Sequence, residues 1–497
     1  MSRADLLAIL PLLIAAGTSL VALTAIAVRR SHRATFLITL AGLAAAVGSL
    51  AVAGNEAPRQ VSPLLVLDSY SLFYTGLILA AAAVLVLFSY GYMQGQKERR
   101  EEFYPLLCLA ALGAAVMSAA SHFVSFFLGL ELLSVSLFAL IAFQHTELTA
   151  IEAAVKYLLM AGVSSAFLIF GLALIYAEYG TLGLAALGGE LASGAAPGLI
   201  GYAGLGMILV GLGFKLAVVP FHMWAPDVFQ GATAPVAALI ATVSKAGVFV
   251  PLMRFVQPLD AHGRSGLLLA FTLIAVASMG FGNLLALLQA NLKRLLAYSS
   301  IAHFGYLLVA FIAGGPGGAT AAGFYFVTYF ATTLAAFGVL IVLSGGGLEA
   351  DLIADYRGLA WRSPWLAGAL TVALLSLAGI PISAGFFAKL FVLGAGVEAR
   401  RSLASIALVI ASAIGLYYYL RILVTVFRRP GAEEPAEAAG RPPEAGSLPG
   451  AGRPPAQAGR SIAGGAALAV LTLILLALGV FPGPLFEAIR RWIGGLF

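Results

Sequence analysis

The chain has 497 residues, of which 61% are hydrophobic and only 10% charged, with a formal net charge of +6. An ordinary soluble domain carries roughly 25% charged residues, so a cytosolic globule is excluded, and so is a disordered chain, which would be rich in charge. A single cysteine, Cys108, excludes a disulfide scaffold, and basic residues scattered among loops speak against nucleic acid as a partner.

What remains is a polytopic membrane protein. Crossing roughly 30 Å of hydrocarbon takes about 20 apolar residues as a helix. Such runs are predicted at 5–28, 34–54, 70–93, 104–120 and 122–143, the last two meeting in a tight turn around Ser121. They continue at 151–177, 198–219, 232–256, 266–289 and 295–313, then at 319–343, 364–394, 402–427 and 461–485, which makes fourteen. The first run is too long for a signal peptide and lacks a cleavage site, so it is expected to stay. The glycine clusters Gly314-Gly315 and Gly345-Gly346-Gly347 read as turns at span ends. The stretch 430–460, built from Pro, Gly, Ala, Glu and Arg, reads as a flexible cytoplasmic linker before the last span.

An even number of spans puts both termini on one face. Eight Arg and Lys residues fall on that face and fifteen on the other, so the positive-inside rule predicts the termini outside. Lysine is rare: Lys97 and Lys293 are expected in loops, whereas Lys156, Lys215, Lys245 and Lys389 fall within predicted spans. The 22 arginines lie nearly all at segment ends or in loops, where the charge reaches water and headgroups. Arginine keeps its proton almost anywhere, and a buried lysine can release one near neutral pH. A membrane interior that selects lysine over arginine is therefore suited to reversible protonation.

One acid lies deep in a span, Glu131 in Phe-Phe-Leu-Gly-Leu-Glu-Leu-Leu-Ser. A charge at the bilayer centre costs about 2.5–3.5 kcal/mol even on insertion scales. A static ion pair such as Glu131 with Lys215 could account for one lysine, but three would stay without a carboxylate. His303, near the middle of the tenth run, is either a relay between lysines or a neutral histidine satisfied by a hydroxyl such as Ser299 or Tyr306. His222, close to Trp224, reads as an interfacial anchor or a weak relay candidate. Lys156 either snorkels to the surface or joins the relay. His122 and His145 flank the fifth run and are expected to be wetted.

Two runs contain helix breakers. Lys215 precedes Pro220, and Lys389 follows Gly379-Ile380-Pro381-Ile382-Ser383-Ala384-Gly385. Proline removes a donor and glycine weakens the ladder, which frees carbonyls. Open backbone at membrane depth is tolerated only beside protein or water. Interruptions in the seventh and twelfth runs divide the centre into two five-helix units, the sequence pattern of an inverted-repeat transporter. The expected organisation is all-α: a three-helix segment (1–95), helices 4–8 (104–257), helices 9–13 (264–428), the 429–460 loop, and the final helix (461–497). No phosphate loop, GxGxxG after a strand, CxxC set or HExxH occurs, so nucleotide, flavin, iron–sulfur and zinc sites are not supported.

Gly211-Leu212-Gly213-Phe214-Lys215, continuing through Pro220-Phe221-His222-Met223-Trp224-Ala225-Pro226-Asp227-Val228-Phe229-Gln230-Gly231, resembles the antiporter-like subunits of bacterial respiratory complex I, NADH:quinone oxidoreductase. That family is related to mitochondrial subunit 2 and to the Mrp antiporters. The Pro-Asp-Val-Phe-Gln-Gly form is similar to the subunit N branch, and Leu292-Lys293-Arg294-Leu295-Leu296-Ala297-Tyr298-Ser299-Ser300-Ile301-Ala302-His303 and Gly379-Ile380-Pro381 also match. The resemblance runs across runs 4–13 and implies fourteen spans with outside termini. It implies that Glu131 and Lys215 form a pair whose approach or separation sets how firmly the lysine holds its proton. By it, Lys245 and His303 continue the polar axis and Lys389 lies on the exit side. It places NADH, FMN, iron–sulfur clusters and quinone on other subunits, with none bound here, and implies subunits M, K, J and L as partners in the bacterial inner membrane. The long 430–460 loop departs from the pattern. A cation/proton antiporter, a subunit of a membrane-bound hydrogenase and a purely structural scaffold are the other readings, and the motif around Asp227 favours the proton-pumping subunit.

Overall fold

The computed structural model describes residues 2–95, 100–192, 197–256, 265–344, 349–429 and 462–493. The expected 430–460 linker, Lys97 and the Gly345-Gly346-Gly347 cluster lie outside these described residues. A short helix α1 (Arg3–Ala8), capped by Ser2, leads into α2 (Leu10–Val28) and α3 (His32–Glu56). An antiparallel hairpin, β1 (Arg59–Ser62) and β2 (Leu65–Leu67), precedes α4 (Ser69–Gln94). A first group comprises α5 (Phe103–Ser118), α6 (Phe123–Ile141), α7 (Leu148–Tyr179), α8 (Leu184–Ala192) and α9 (Leu199–Leu216). It closes with α10 (Trp224–Gly231), α11 (Ala234–Leu239), a π-helical turn (Ile240–Ser244) and α12 (Lys245–Val256). The second group is α13 (Ser265–Leu287), α14 (Leu292–Ala313), α15 (Gly315–Leu343), a 3-10 turn (Ile353–Tyr356), α16 (Leu359–Arg362), α17 (Pro364–Ala378), α18 (Ala384–Glu398) and α19 (Ser402–Phe427). The chain then runs through α20 (Ile462–Val480) and α21 (Pro482–Ile493).

Among the described residues, twelve helices are long and apolar enough to cross a membrane, with α11 to α12 counted as one, and α5 and α17 are shorter apolar helices. Together they fall on the fourteen expected runs. Hydropathy did not reveal the hairpin, α8 or α21. The run predicted at 461–485 is cut at Phe481, after which α21 buries Ile489 and Ile493 and leaves Arg490 and Arg491 exposed. Lys293, expected in a loop, lies in the first turn of α14 and is 2% exposed. Asn291 caps that helix earlier than hydropathy alone suggested, because a lysine beside an arginine ends any apolar window.

The two groups pack in parallel fashion. α5 lies on α6 and α7 on α9 and α10, as α13 lies on α14 and α15 on α17 and α18. Glycine permits the closest approach in the first pair: a Cβ at Gly113 would lie 2.6 Å from the Gly129 carbonyl. Small residues at such crossings let backbones meet where lipid supplies no hydrophobic drive. The helix from Ala234 to Phe255 and α14 are buried throughout, whereas α7 leaves Leu159, Val163, Phe167 and Phe170 exposed, an apolar face suited to lipid.

Both expected interruptions occur. α9 stops at Leu216 because Ala217 turns to φ 56° and Pro220 offers no donor. α17 stops at Gly379 (φ 79°), Ile382 follows at φ 68°, and Ser383 caps α18 through the Phe386 amide. Non-glycine residues held at positive φ cost about 1–3 kcal/mol each and persist where surrounding packing imposes them. A Cβ on Gly385 would lie 1.8 Å from the Ser376 carbonyl oxygen. Gly385→Ala is therefore expected to force the two half-helices apart and reduce the chain recovered in the purified assembly. Recovery at the wild-type level would show that the break widens freely.

Candidate functional site

The two broken helices and the helix that follows the π-helical turn bring three lysines inside. Lys215 ends α9, is 5% exposed, and donates from Nζ to Ser134 Oγ at 2.7 Å. Ser134 in turn donates to the Leu130 carbonyl one turn back on α6 (2.6 Å). The Tyr157 and Phe214 rings lie 5.8 Å from the ammonium. Glu131 sits on the same α6 face as Ser134, three residues away, and its Oε1 accepts from Ser165 Oγ of α7 at 2.6 Å. In place of a direct Glu131–Lys215 ion pair, the lysine is bonded to Ser134 and the carboxylate is turned toward Ser165 of α7. Across the break, Trp224 Nε1 donates to the Phe214 carbonyl (3.0 Å), which leaves the lysine free of that role.

Lys245 begins α12 directly after the π-helical turn and is 1% exposed. A π-turn adds one residue to the repeat and rotates the next turn of helix about its axis. Lys245 donates to Ser300 Oγ of α14 and lies 4.6 Å from the Phe304 ring centroid. One residue before Ser300, Ser299 is hydrogen-bonded to Tyr419 Oη (2.5 Å). His303 Nδ1 meets Tyr325 Oη at 2.7 Å and its Nε2 lies 3.4 Å from Tyr419 Oη. The hydroxyls that satisfy the histidine thus come from α15 and α19, whereas Ser299 and Tyr306 were the neighbours expected on its own helix. Tyr306 offers it only a ring edge, with centroids 5.4 Å apart.

Lys389, on α18, uses the second break. Its Nζ donates to the carbonyls of Leu377 (3.0 Å) and Ala378 (2.8 Å) and to Ser412 Oγ (2.9 Å). Those carbonyls end α17, whose ladder cannot continue past Gly379. The Tyr306 ring lies 5.2 Å from the ammonium, and Tyr306 Oη accepts from buried Asn283, which also accepts from Tyr418 Oη (3.0 Å each). A cleft of about 310 Å³ opens on the lysine between Gly379, Ile380, Pro381, Ser412 and Leu416.

The remaining expected residues are placed differently. His222 lies within the first break, 6% exposed, and among the described residues neither ring nitrogen makes a well-formed hydrogen bond. Lys156 lies two turns into α7, its side chain 43% exposed, bridging Glu152 (2.7 Å) and Asp227 (2.8 Å). Asp227 also holds Arg294 at 2.7 Å. His122 caps α6 through the Val124 amide, and His145 is exposed. Residue-by-residue reading missed Ser134, Ser165, Ser300, Ser412, Asn283, Tyr325 and Tyr419. Their signal was present as hydroxyls and one amide inside apolar runs, but serine and tyrosine are too common in such runs to single these out. Among the described residues no cluster of His, Cys, Asp and Glu could hold a metal ion.

A bundle of apolar helices, two of them interrupted, enclosing lysines held by hydroxyls and carbonyls in place of carboxylates, defines an antiporter-like membrane protein. Residues 120–415 match the family described as NADH:quinone oxidoreductase/Mrp antiporter, TM. The chain is 46% identical, over 98% of its length and 96% of the relative's, to NADH-quinone oxidoreductase subunit N of Ectopseudomonas mendocina (strain ymp). A chain in the structure of respiratory complex I from Thermus thermophilus with bound aureothin is 34% identical, with a TM-score of 0.77 over 96% of this chain and 99% of that one. A chain of the Mrp complex from Dietzia sp. DQ12-45-1b shares the fold at 23% identity, with a TM-score of 0.83 over 100% and 98% of the two chains. The chain belongs to the NADH:quinone oxidoreductase/Mrp antiporter family and, within it, to the subunit N group.

Proposed function

We propose that this chain is the proton-translocating membrane subunit of an NADH:quinone oxidoreductase and that protons pass along Lys215, Lys245, His303 and Lys389. The observation that carries the reading is that Lys215, Lys245 and Lys389 find neutral acceptors, serine hydroxyls or backbone carbonyls, and none of these three is locked to a carboxylate. A static staple would place a counter-ion against each. A relay needs a lysine whose proton can leave without stranding a partner charge.

Glu131 modulates Lys215 from beyond Ser134. Rotation of the carboxylate away from Ser165 toward Lys215 would strengthen the lysine's hold on its proton, and its return would weaken it. Lys245 passes the proton through Ser300, and the Ser299, Tyr419, His303 and Tyr325 hydrogen bonds extend that path. Lys389, facing its cleft, is the exit-side group. His222, with one ring nitrogen able to accept and the other to donate, serves the first break, and Lys156 holds Asp227 beside it. Helices 4–8 and 9–13 act as two inverted units, bounded near 104–257 and 264–428. The recurring packing of α5 on α6 and α13 on α14 supports that division.

NADH, FMN, iron–sulfur clusters and quinone belong on other subunits, with subunits M, K, J and L as neighbours in the bilayer of the bacterial inner membrane. The excess of Arg and Lys on one face supports termini outside. The test compares Lys245→Ala with Lys245→Arg in vesicles carrying the assembled complex. Both are expected to lower NADH-driven pumping at least about tenfold, since a positioned proton-transfer group contributes 10²–10⁴ and arginine does not release its proton. Normal pumping by the arginine variant would reduce Lys245 to a fixed charge.

A further inference from the structure

Outside the axis lies a fourth buried lysine, Lys293. It donates to the Ala232 carbonyl at the α10–α11 corner (2.9 Å) and is ion-paired with Glu349. Glu349 also accepts from the Ala234 amide at the start of α11 (2.8 Å) and from Tyr92 Oη of α4. The lysine side chain is 3% exposed and the carboxylate 17%, so the acid is the member that water reaches. The next residue, Arg294, makes the outer bridges, to Asp227 (2.7 Å), Gln230 (3.0 Å) and Gln289 (3.2 Å). One helical turn therefore carries an arginine at its more exposed position and a lysine at its buried one. A fixed clamp would be better served at both by the guanidinium fork, which keeps its charge and offers more donors.

Lys293 also lies on the axis helix. Ser300, the acceptor of Lys245, lies seven residues further on α14, on the same face and about 10 Å along the helix. Ala297, four residues on, presents only a methyl group between them. We propose that Glu349 and Lys293 form a proton-loading site for the axis, taking protons from the loop side of α14 and passing them inward toward Ser300 and Lys245. In each cycle Glu349 takes up one proton from water, which frees Lys293 to give a proton inward as its ammonium becomes an amine without stranding a partner charge. Glu349 then passes its proton to that amine, so protons balance and no electrons move. Tyr92 and the Ala234 amide hold the carboxylate in place as it does so.

This inference rests on the proposed axis, and the test separates the two. In vesicles carrying the assembled complex, Lys293→Arg keeps charge and donors but retains its proton, and is expected to lower pumping at least about tenfold. Glu349→Gln keeps the shape and the acceptor for Ala234, whereas Glu349→Asp keeps the titrating group on a shorter stem. Loading predicts more pumping with Asp than with Gln, and a purely structural clamp predicts the reverse order. Normal pumping by Lys293→Arg, or Gln at or above Asp, overturns the loading site while Lys215→Ala and Lys245→Ala still fail. Normal pumping by all of these variants overturns the axis itself.

Discussion

Lys215→Ala is expected to lower NADH-driven proton pumping at least about tenfold while leaving the complex assembled, because on the proposed axis the lost group carries protons and does not hold helices together. The amine makes one side-chain hydrogen bond, to Ser134, and that hydroxyl keeps its own bond to the Leu130 carbonyl after the change. The neighbouring break stays closed by Trp224 on the Phe214 carbonyl. Glu131→Ala is expected to lose most pumping as well, through loss of the charge proposed to modulate Lys215, with Ser165 left to find another acceptor. Pumping per NADH in sealed vesicles, read beside the amount of this chain in the purified complex, checks both. Full pumping by either variant would favour a scaffold, and sodium-dependent exchange without electron transfer would favour an antiporter.

Lys389→Met should fail in two ways at once. The change keeps the apolar stem but removes the donor to the carbonyls of Leu377 and Ala378 and to Ser412. Leaving a buried acceptor unsatisfied costs about 1–3 kcal/mol, and two of these lie at the end of α17, where no next turn can replace the donor. Pumping is expected to collapse and the thermal midpoint of the isolated complex to fall. Lys389→Arg is expected to restore the midpoint in part without restoring pumping. An unchanged midpoint for Lys389→Met would mean that the cleft already supplies those carbonyls with donors.

Much of the fold was legible because a bilayer imposes a simple rule: each crossing needs a long apolar helix that satisfies its own backbone. The two interruptions were legible for the same reason, since Pro220 and the Gly379–Gly385 stretch break that ladder wherever they occur. Lys215, Lys245 and Lys389 stood out because a charge in hydrocarbon is expensive, and all three are buried.

Who holds each lysine was a different matter. Lys245 reaches Ser300 only because a π-turn precedes it and α14 crosses there, and nothing in Ile240–Ser244 announces that turn. Lys293 looked like a loop residue because its burial comes from Ala232 and Glu349, 61 and 56 residues away. Which helices are enclosed by the bundle was equally hidden, since α7 and α14 are both apolar enough to span while only α14 is buried along its apolar stretch. Sequence alone determined how many times the chain crosses, where it breaks, and which charges are out of place, because those depend on local composition against a fixed solvent. The tertiary structure decided which helices line the interior and which hydroxyl or carbonyl receives each ammonium. Lipid tails are as apolar as leucine, so hydropathy carries no signal for a partner across the bundle.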